Sequence, residues 1–362
     1  VKSFASLIQK AFPVPHIFVL SDVAIKFFDG KLSFFEFGRS HGVTRPKDCG
    51  TIPFPHLKRD MMENRQIFAE AGNALKTFAQ SKGYRMVRVI VHEGDVYAFK
   101  MRVPTTNVDE MRPAIEAALE ENVPIPPAEA IFEFDIVSID TVRNETSVAV
   151  TVISEKMVAV YMTLLQTAGL IPVAFETESR TMAKSLIPAG DQGTHAILAI
   201  EEHHSVIFIA EKGVMTFSSV VEFGSIDLTR AVAKTFNVTE DVARSFMTGK
   251  GLREGITETI VFESMVPAFS TFSDELEKVV LYFRGEAERN TVGENPGIVT
   301  DILLAGSDAR ISGLTQYLTA TVKLPTRIGS VWTNVKFPAG VVPELEERQS
   351  LGYTSLIGAH FS

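Results

Sequence analysis

One pattern occurs twice in this chain, and it constrains the fold more than any other feature. Residues 16–38, "HIFVLSDVAIKFFDGKLSFFEFG", hold an apolar run, a break from Leu20 to Lys26, a second apolar run, an Asp29-Gly30 turn and an alternating third run. Residues 196–224, "AILAIEEHHSVIFIAEKGVMTFSSVVEFG", repeat that order with a Lys212-Gly213 turn, and both stretches close on Glu-Phe-Gly. Short apolar runs between turn residues read as strands, and Asp-Gly or Lys-Gly between two of them reads as a hairpin. The turn glycines lie half a chain apart. Shared length, order and offset favour an internal duplication over a coincidence of hairpins. A chain of 362 residues is long enough for two lobes, each with its own core.

The segments between the copies supply helices. Residues 39–56 are rich in turn formers and read as loop. A helix is expected from Arg65 to Gln80, ended near Gly83, with Ile67, Ala71, Ala74, Leu75 and Phe78 along one face. "MVRVIVHEGDVYAFKMRV" reads as a second hairpin turning at Glu93-Gly94-Asp95. In "DEMRPAIEAALEE", 109–121, Met111, Ile115 and Leu119 stack at i, i+4 spacing, and a start near Asp109 puts Pro113 in the first helical turn. Strands at 130–138 and 146–153 and a helix from Ser154 to Ala168, capped by Gly169, complete a β-α-β-β-α unit over 85–170. The second half continues with helices at 226–236, 239–247 and about Ser264 to Phe283. A buried strand at 301–306, a further helix, a short strand and a closing helix at 349–360 follow. Alternating strands and helices in both halves make this an α/β protein with two similar lobes.

Composition removes several classes of function. A net charge of -9 and the lack of a dense Lys/Arg run argue against nucleic-acid binding. The single cysteine, Cys49, excludes an intramolecular disulfide and a cysteine-clustered metal site, and fits a reducing compartment. The opening "VKSFASLIQKAFPVP" has no cleavage pattern and reads as an amphipathic lead-in, and no stretch is apolar for the length of a membrane span. A cytoplasmic protein is expected.

Four stretches in order carry a family resemblance: "RVPTTNVDEMRPAIEAALEENVPIPPAEAIFEFDIV", "VAVYMTLLQTAGLIPVAFETESRTMAKSL", "VEFGSIDLTRAVAKTFNVTEDVARSF" and "DILLAGSDARISGLTQYLTATVKLPTRIG". Together they resemble the actin-like superfamily and, within it, the PilM family of type IV pilus assembly proteins, with the division protein FtsA as next relative. The resemblance implies an actin-like two-lobed fold of duplicated ribonuclease-H-like lobes, with an inserted α/β subdomain in the first lobe. On that reading 1–84 opens the first lobe and 85–170 is the inserted subdomain. Residues 171–190 and 349–362 return to the first lobe, and 191–348 form the second. The end at "SLIGAHFS", without a basic-apolar tail, favours PilM over FtsA.

Active members of the superfamily carry Asp-x-Gly breaks in both lobes, where glycine lets backbone N–H groups reach phosphate and aspartate holds Mg²⁺ or its water. Aligned to this, the first break reads Val19-Leu20-Ser21 and then Asp22, and the second reads Ala199-Ile200-Glu201 and then Glu202. Both lobes lose the aspartate and the glycine, and carboxylates stand where phosphate would lie. His203-His204 beside two glutamates could suggest a metal pair, but neighbours on a strand point to opposite faces. The resemblance assigns the degenerate nucleotide cleft to Ser21, Asp22, Lys26, Glu201, Glu202, Ser205, Gly224, Glu275, Lys278, Gly306 and Ser307. The adenosine half is partly kept and the phosphate half is not, so ATP with Mg²⁺ is a possible cofactor on degenerate motifs, and no metal site or catalytic residue is assigned.

PilM-like proteins act as scaffolds at the inner face of the membrane, held there through a partner. The implied partner is the N-terminal peptide of a PilN-like membrane protein, alongside other pilus platform proteins. The peptide would lie between the first lobe and the inserted subdomain, against Met111, Ile115, Leu119, Val123 and Ile125, in an apolar groove. The alternatives from the same fold are an active actin-like ATPase and an FtsA-like filament protein.

Overall fold

The computed structural model describes residues 23–28, 30–40, 43–55, 65–249, 257–289, 297–337, 345 and 347–361. Two five-stranded sheets and one three-stranded sheet organise them. The first lobe begins with β1 (Val23–Phe28), β2 (Lys31–Ser40) and β3 (Val43–Pro53), an antiparallel meander. The stretch read as loop at 39–56 is thus mostly strand. Its prolines and glycine are tolerated because β3 is a sheet edge, paired among the described residues with β2 alone, and Pro46 falls at a bulge in the β2–β3 register. Helix α1 (Arg65–Lys82) follows and buries Ala71, Leu75 and Phe78, with Gly83 just past its end.

Strand β4 (Met86–Val91) runs parallel to β1, whereas β5 (Val96–Val103) belongs to the three-stranded sheet. The expected hairpin at 93–95 is therefore a crossover: a short 3₁₀ turn in which the His92 ring accepts from Gly94 N–H at 3.0 Å carries the chain from one sheet to another. Two apolar runs around Glu-Gly-Asp look alike whether the chain folds back or moves on. Helix α2 (Val108–Asn122) starts at an Asn107 cap, which leaves Pro113 in its second turn rather than its first. Strands β6 (Ala130–Asp140) and β7 (Glu145–Ser154) complete the three-stranded sheet in the order β5-β7-β6. Helix α3 (Glu155–Ala168), capped by Ser154 and by Gly169 in the left-handed conformation, then returns to the first lobe. It packs Val160, Leu164 and Leu165 with Leu75, Val87 and Val89. The β-α-β-β-α unit read over 85–170 is thus divided: β4 and α3 belong to the first lobe's sheet and core, and only 96–154 form the inserted sheet and helix.

Strand β8 (Ile171–Thr177) closes the first sheet, in the order β3-β2-β1-β4-β8, and leads into α4 (Glu178–Leu186). The second lobe repeats the plan. Strands β9 (Thr194–Ile200), β10 (Ser205–Glu211) and β11 (Val214–Val221) form its meander. Helices α5 (Ser225–Phe236), α6 (Glu240–Met247) and α7 (Glu258–Arg289) follow, the last beginning at Glu258 rather than Ser264. Strand β12 (Val299–Ala305), helix α8 (Leu314–Val322) and strand β13 (Thr326–Ile328) complete the order β11-β10-β9-β12-β13.

The matching orders make β1, β2, β3, β4 and β8 the counterparts of β9, β10, β11, β12 and β13. Duplication holds, but its register moves by one hairpin. The Gly30 turn joins the first and second strands of its sheet, whereas the Gly213 turn joins the second and third of its own. The structural counterpart of the Gly30 turn is the loop at 201–204. Consecutive hairpins with the same alternation and the same Glu-Phe-Gly ending cannot be ordered from sequence alone.

The closing helix expected at 349–360 is a broken path: α9 (Glu347–Ser350), a 3₁₀ turn, α10 (Thr354–Gly358) and a last 3₁₀ turn. It packs on α4 so closely that a Cβ at Gly358 would collide with the Thr181 carbonyl. One apolar core then runs across the lobes, joining Ala24, Phe35 and Ile90 of the first sheet to Leu198, Phe208 and Leu304 of the second.

Candidate functional site

Alternation along β1 decides the chemistry of the cleft. Ile25 and Phe27 enter the first lobe's core, and Ala24 joins the core shared between lobes. Lys26 shares Ala24's face and is 8% exposed, a buried cation in a strand that is otherwise apolar. Its ammonium lies 3.1 Å from Glu178 Oε1 and 3.5 Å from Glu201 Oε1. Glu178 is in the first turn of α4, where the helix dipole favours a carboxylate. Glu93 reaches the same helix start, accepting from Ser179 N–H at 2.9 Å and from Ser179 Oγ at 2.7 Å. Burial pushes the Glu93 carboxyl up, opposed by its hydrogen bonds to Ser218 and Ser179.

Glu201 is the second lobe's contribution. Burial pushes its carboxyl up and Lys26 opposes the shift, while Glu178 adds repulsion. Its Oε2 accepts from Ser307 Oγ at 2.8 Å. Glu202 forms a second bridge between lobes, to Lys31 of β2, and Arg244 of α6 binds its other oxygen at 3.2 Å. Against a burial that raises it, Lys31 and Arg244 hold the Glu202 carboxyl below its usual range. The two lobes are thus joined by Lys26–Glu201 and Lys31–Glu202.

Backbone groups around these carboxylates are engaged as well. Ser225 and Ile226, at the start of α5, donate their N–H groups to the carbonyls of Glu201 and Glu202 at 3.0 Å each. Gly224 N–H is taken by the Asp227 carboxylate at 3.0 Å, and Asp308 N–H by the Ile200 carbonyl at 3.1 Å. Gly306 adopts φ +91°, and a Cβ there would collide with the Ile200 carbonyl, so only glycine lets this turn approach β9. Ser205 is buried and donates to the Phe223 carbonyl at 2.8 Å.

Of the sequence-assigned cleft residues, Lys26, Glu201, Glu202, Ser205, Gly224, Gly306 and Ser307 converge here. Ser21 and Asp22 lie outside the described residues. Glu275 and Lys278 pair with each other at 2.6 Å on α7, and neither borders the pocket beside Ser307. That pocket, of about 380 Å³, lies between α5, α6 and the Ser307-Asp308 turn, with Arg244, Arg310 and Asp308 in its wall. His203 is exposed and His204 buried, and among the described residues no group of His, Cys, Asp or Glu could hold a metal ion. Sequence reasoning missed Glu93, Glu178, Lys31 and Arg244. An acidic residue in a helix's first turn is a visible signal for Glu178, but nothing in the sequence marks it as buried beside Lys26.

A second pocket, of about 410 Å³, opens where the first lobe, the inserted sheet and β11 meet. Phe28, Met157 and Tyr161 wall it from the first lobe, Tyr97 from the insert and Val220 from β11, with Asp95 and Glu222 among its lining residues. Tyr161 donates to Asp95 at 3.1 Å and accepts from His92 N–H at 3.2 Å. The expected groove residues lie elsewhere. Met111, Ile115 and Leu119 have no exposed surface and Val123 is buried, all in the core between α2 and the inserted sheet, with Ile125 packed at its border. A side chain without exposed surface cannot touch a docked peptide, so the i, i+4 stripe is core.

The family model described as type IV pilus assembly protein PilM matches residues 37–359. The chain belongs to the PilM family. Among solved structures, a PilM–PilN type IV pilus biogenesis complex aligns at TM-score 0.71 and 16% identity, over 94% of this chain and 98% of that one. EutJ, an ethanolamine utilization protein from Carboxydothermus hydrogenoformans, aligns at TM-score 0.53 and 10% identity, over 97% and 92%. MreB5 of Spiroplasma citri bound to ADP aligns at TM-score 0.53 and 12% identity, over 94% of each chain. These likenesses give the chain the actin-like fold. No curated protein matches it. No described helix is long and apolar enough to cross a membrane.

Proposed function

We propose that this chain is a scaffold of a type IV pilus assembly platform that docks an extended peptide of a PilN-like partner and does not hydrolyse ATP. The observation that carries the reading is the pair of bridges, Lys26–Glu201 and Lys31–Glu202, across the cleft where the two lobes' first loops meet. Phosphoryl transfer needs cations and N–H donors aimed at phosphate oxygens. Here Glu201 and Glu202 take up the cations, and carbonyls of the same loop take up the N–H groups of α5. An incoming Mg-triphosphate would meet carboxylates and spent donors, so the group does not fit the residues present. Fixed ion pairs then hold the lobes in one arrangement, which suits a docking platform.

The pocket between the first lobe and the insert supports the docking half. Its apolar wall suits an extended segment, and Asp95 and Glu222 suit a basic residue within it. A PilN-like membrane protein presenting that segment, with other platform proteins, would hold the chain at the inner face of the membrane. Isothermal calorimetry tests both halves. A synthetic PilN-type N-terminal peptide is expected to bind, with at least ~10-fold loss for Val220→Lys, and Mg-ATP is expected to give no binding heat. Tight Mg-ATP binding would overturn the loss of hydrolysis. Peptide affinity unchanged by Val220→Lys would move docking away from this pocket.

A further inference from the structure

Sheet edges expose unpaired N–H and C=O groups, and proteins blunt them with lysine, proline, shortness or cover. The other edges follow that rule: β11, eight residues without lysine or proline, is covered by β5 and the 93–95 turn. Strand β3 carries Pro46, Lys47 and Pro53, β8 carries Pro172, and β13 has three residues. Strand β5 turns Lys100 onto Glu211 of the second lobe at 2.5 Å. Strand β6 is different. It is 11 residues long, "AIFEFDIVSID", without lysine, proline or glycine, and among the described residues it pairs only with β7. Ile131, Ile136 and Ile139 are exposed along it, and Val142, in the turn to β7, is 94% exposed.

Register assigns these side chains to faces. Ile136 is opposite Val148 and Ile139 opposite Thr146, both buried on the side that α2 covers. The flank of α2 toward this edge is given by Arg112, which stacks 4.7 Å over the Phe132 ring and lies 3.6 Å from Glu133. Glu116 and Glu120 follow Arg112 at helical spacing. The edge is thus apolar steps bordered by carboxylates: Glu116 and Glu120 on α2, and on the strand itself Glu133, Asp135, which Arg180 holds at 2.9 Å, and Asp140, 3.8 Å from Arg143.

We propose that the free edge of β6 docks a cationic, apolar-alternating strand of a partner protein, extending the inserted sheet to four strands. Strand addition satisfies the unpaired backbone, alternate apolar side chains of the incoming strand cover Ile136 and Ile139, and its basic residues face the carboxylates. A second copy of this chain is the wrong occupant: edge-to-edge pairing would bring the same acidic strand against itself.

The probe is a fluorescein-labelled Lys-Val-Lys-Val-Lys-Val-Lys peptide titrated with the full chain by anisotropy. Binding is expected at low salt and is weakened by salt. Glu133→Lys/Ile139→Lys is expected to lose about 10-fold or more. A peptide with its central valine replaced by proline is expected not to bind, because it cannot complete the ladder. The far-ultraviolet spectrum and thermal midpoint of the double variant check that it is folded. The proposal is overturned by absent binding to wild type, by equal binding of the proline peptide, or by affinity indifferent to the double substitution. A concentration-dependent dimer in sedimentation that Ile139→Lys abolishes would also overturn it, assigning the edge to a second copy.

Discussion

Replacing Lys26 by methionine keeps the length of the side chain and removes its charge from between Glu178 and Glu201. Breaking a buried ion pair from one side costs about 3–5 kcal/mol, because the remaining charge is left without compensation. Here two carboxylates are left, with Glu178 having no exposed surface and Glu201 8%. The single tryptophan, Trp332, lies 6.2 Å from Phe35 of the first lobe and reports contact between lobes. Urea unfolding followed by its fluorescence is expected to show the full loss near neutral pH. Glu201 adds a pH signature. Burial raises its folded carboxyl above the ordinary 4.5, so the folded state holds the proton more tightly than the unfolded chain. Stability from that proton is present below the unfolded value and is lost as pH rises through the folded one. Without Lys26 the folded value rises further, so the penalty of Lys26→Met is expected to shrink between about pH 7.5 and about pH 5.5. Lys26→Met/Glu201→Gln, which also removes one stranded charge, is expected to recover about 1 kcal/mol or more. A loss below about 1 kcal/mol that is the same at both pH values would refute the assignment of Lys26 as the compensating cation.

Three further outcomes follow from named contacts. Gly306→Ala is expected to lower stability by about 2 kcal/mol or more, seen as a fall in thermal midpoint, because φ +91° and the Ile200 carbonyl both oppose a Cβ. Hydrogen bonds to Asp301 at 2.5 Å and to Asp191 at 3.0 Å raise the His195 imidazole above 6.5. The stability it contributes is therefore complete below 6.5 and lost as pH rises through the raised value, and an NMR titration midpoint at or below 6.5 would contradict it. Leu119→Ala is expected to cost about 2–5 kcal/mol in urea unfolding while leaving peptide affinity unchanged, since its side chain is wholly core.

Local chemistry was enough to read much of this protein from its sequence. Alternation and turn residues marked the meanders, i, i+4 apolar spacing marked α1 and α2, and Ser154 with Gly169 bounded α3 to within one residue. Those signals act within a few residues, so they survive without knowledge of the rest of the chain. The two carboxylates after β9, Glu201 and Glu202, were visible for the same reason: a charged pair following an apolar run needs no neighbour to be noticed. What local signals could not decide was partnership. Whether β4 turned back on β5 or passed into another sheet depends on strands far away in sequence, and so does the one-hairpin offset between the lobes. The apolar stripe of α2 looked like a groove because periodicity reports that a face is buried, not what buries it; the inserted sheet does. Lys26 gained its meaning in the same way. In sequence it is a lone cation in an apolar strand, and only folding brings Glu178 and Glu201 within 3.1 Å and 3.5 Å of it. A buried charge is tolerated only by partners that the tertiary structure supplies.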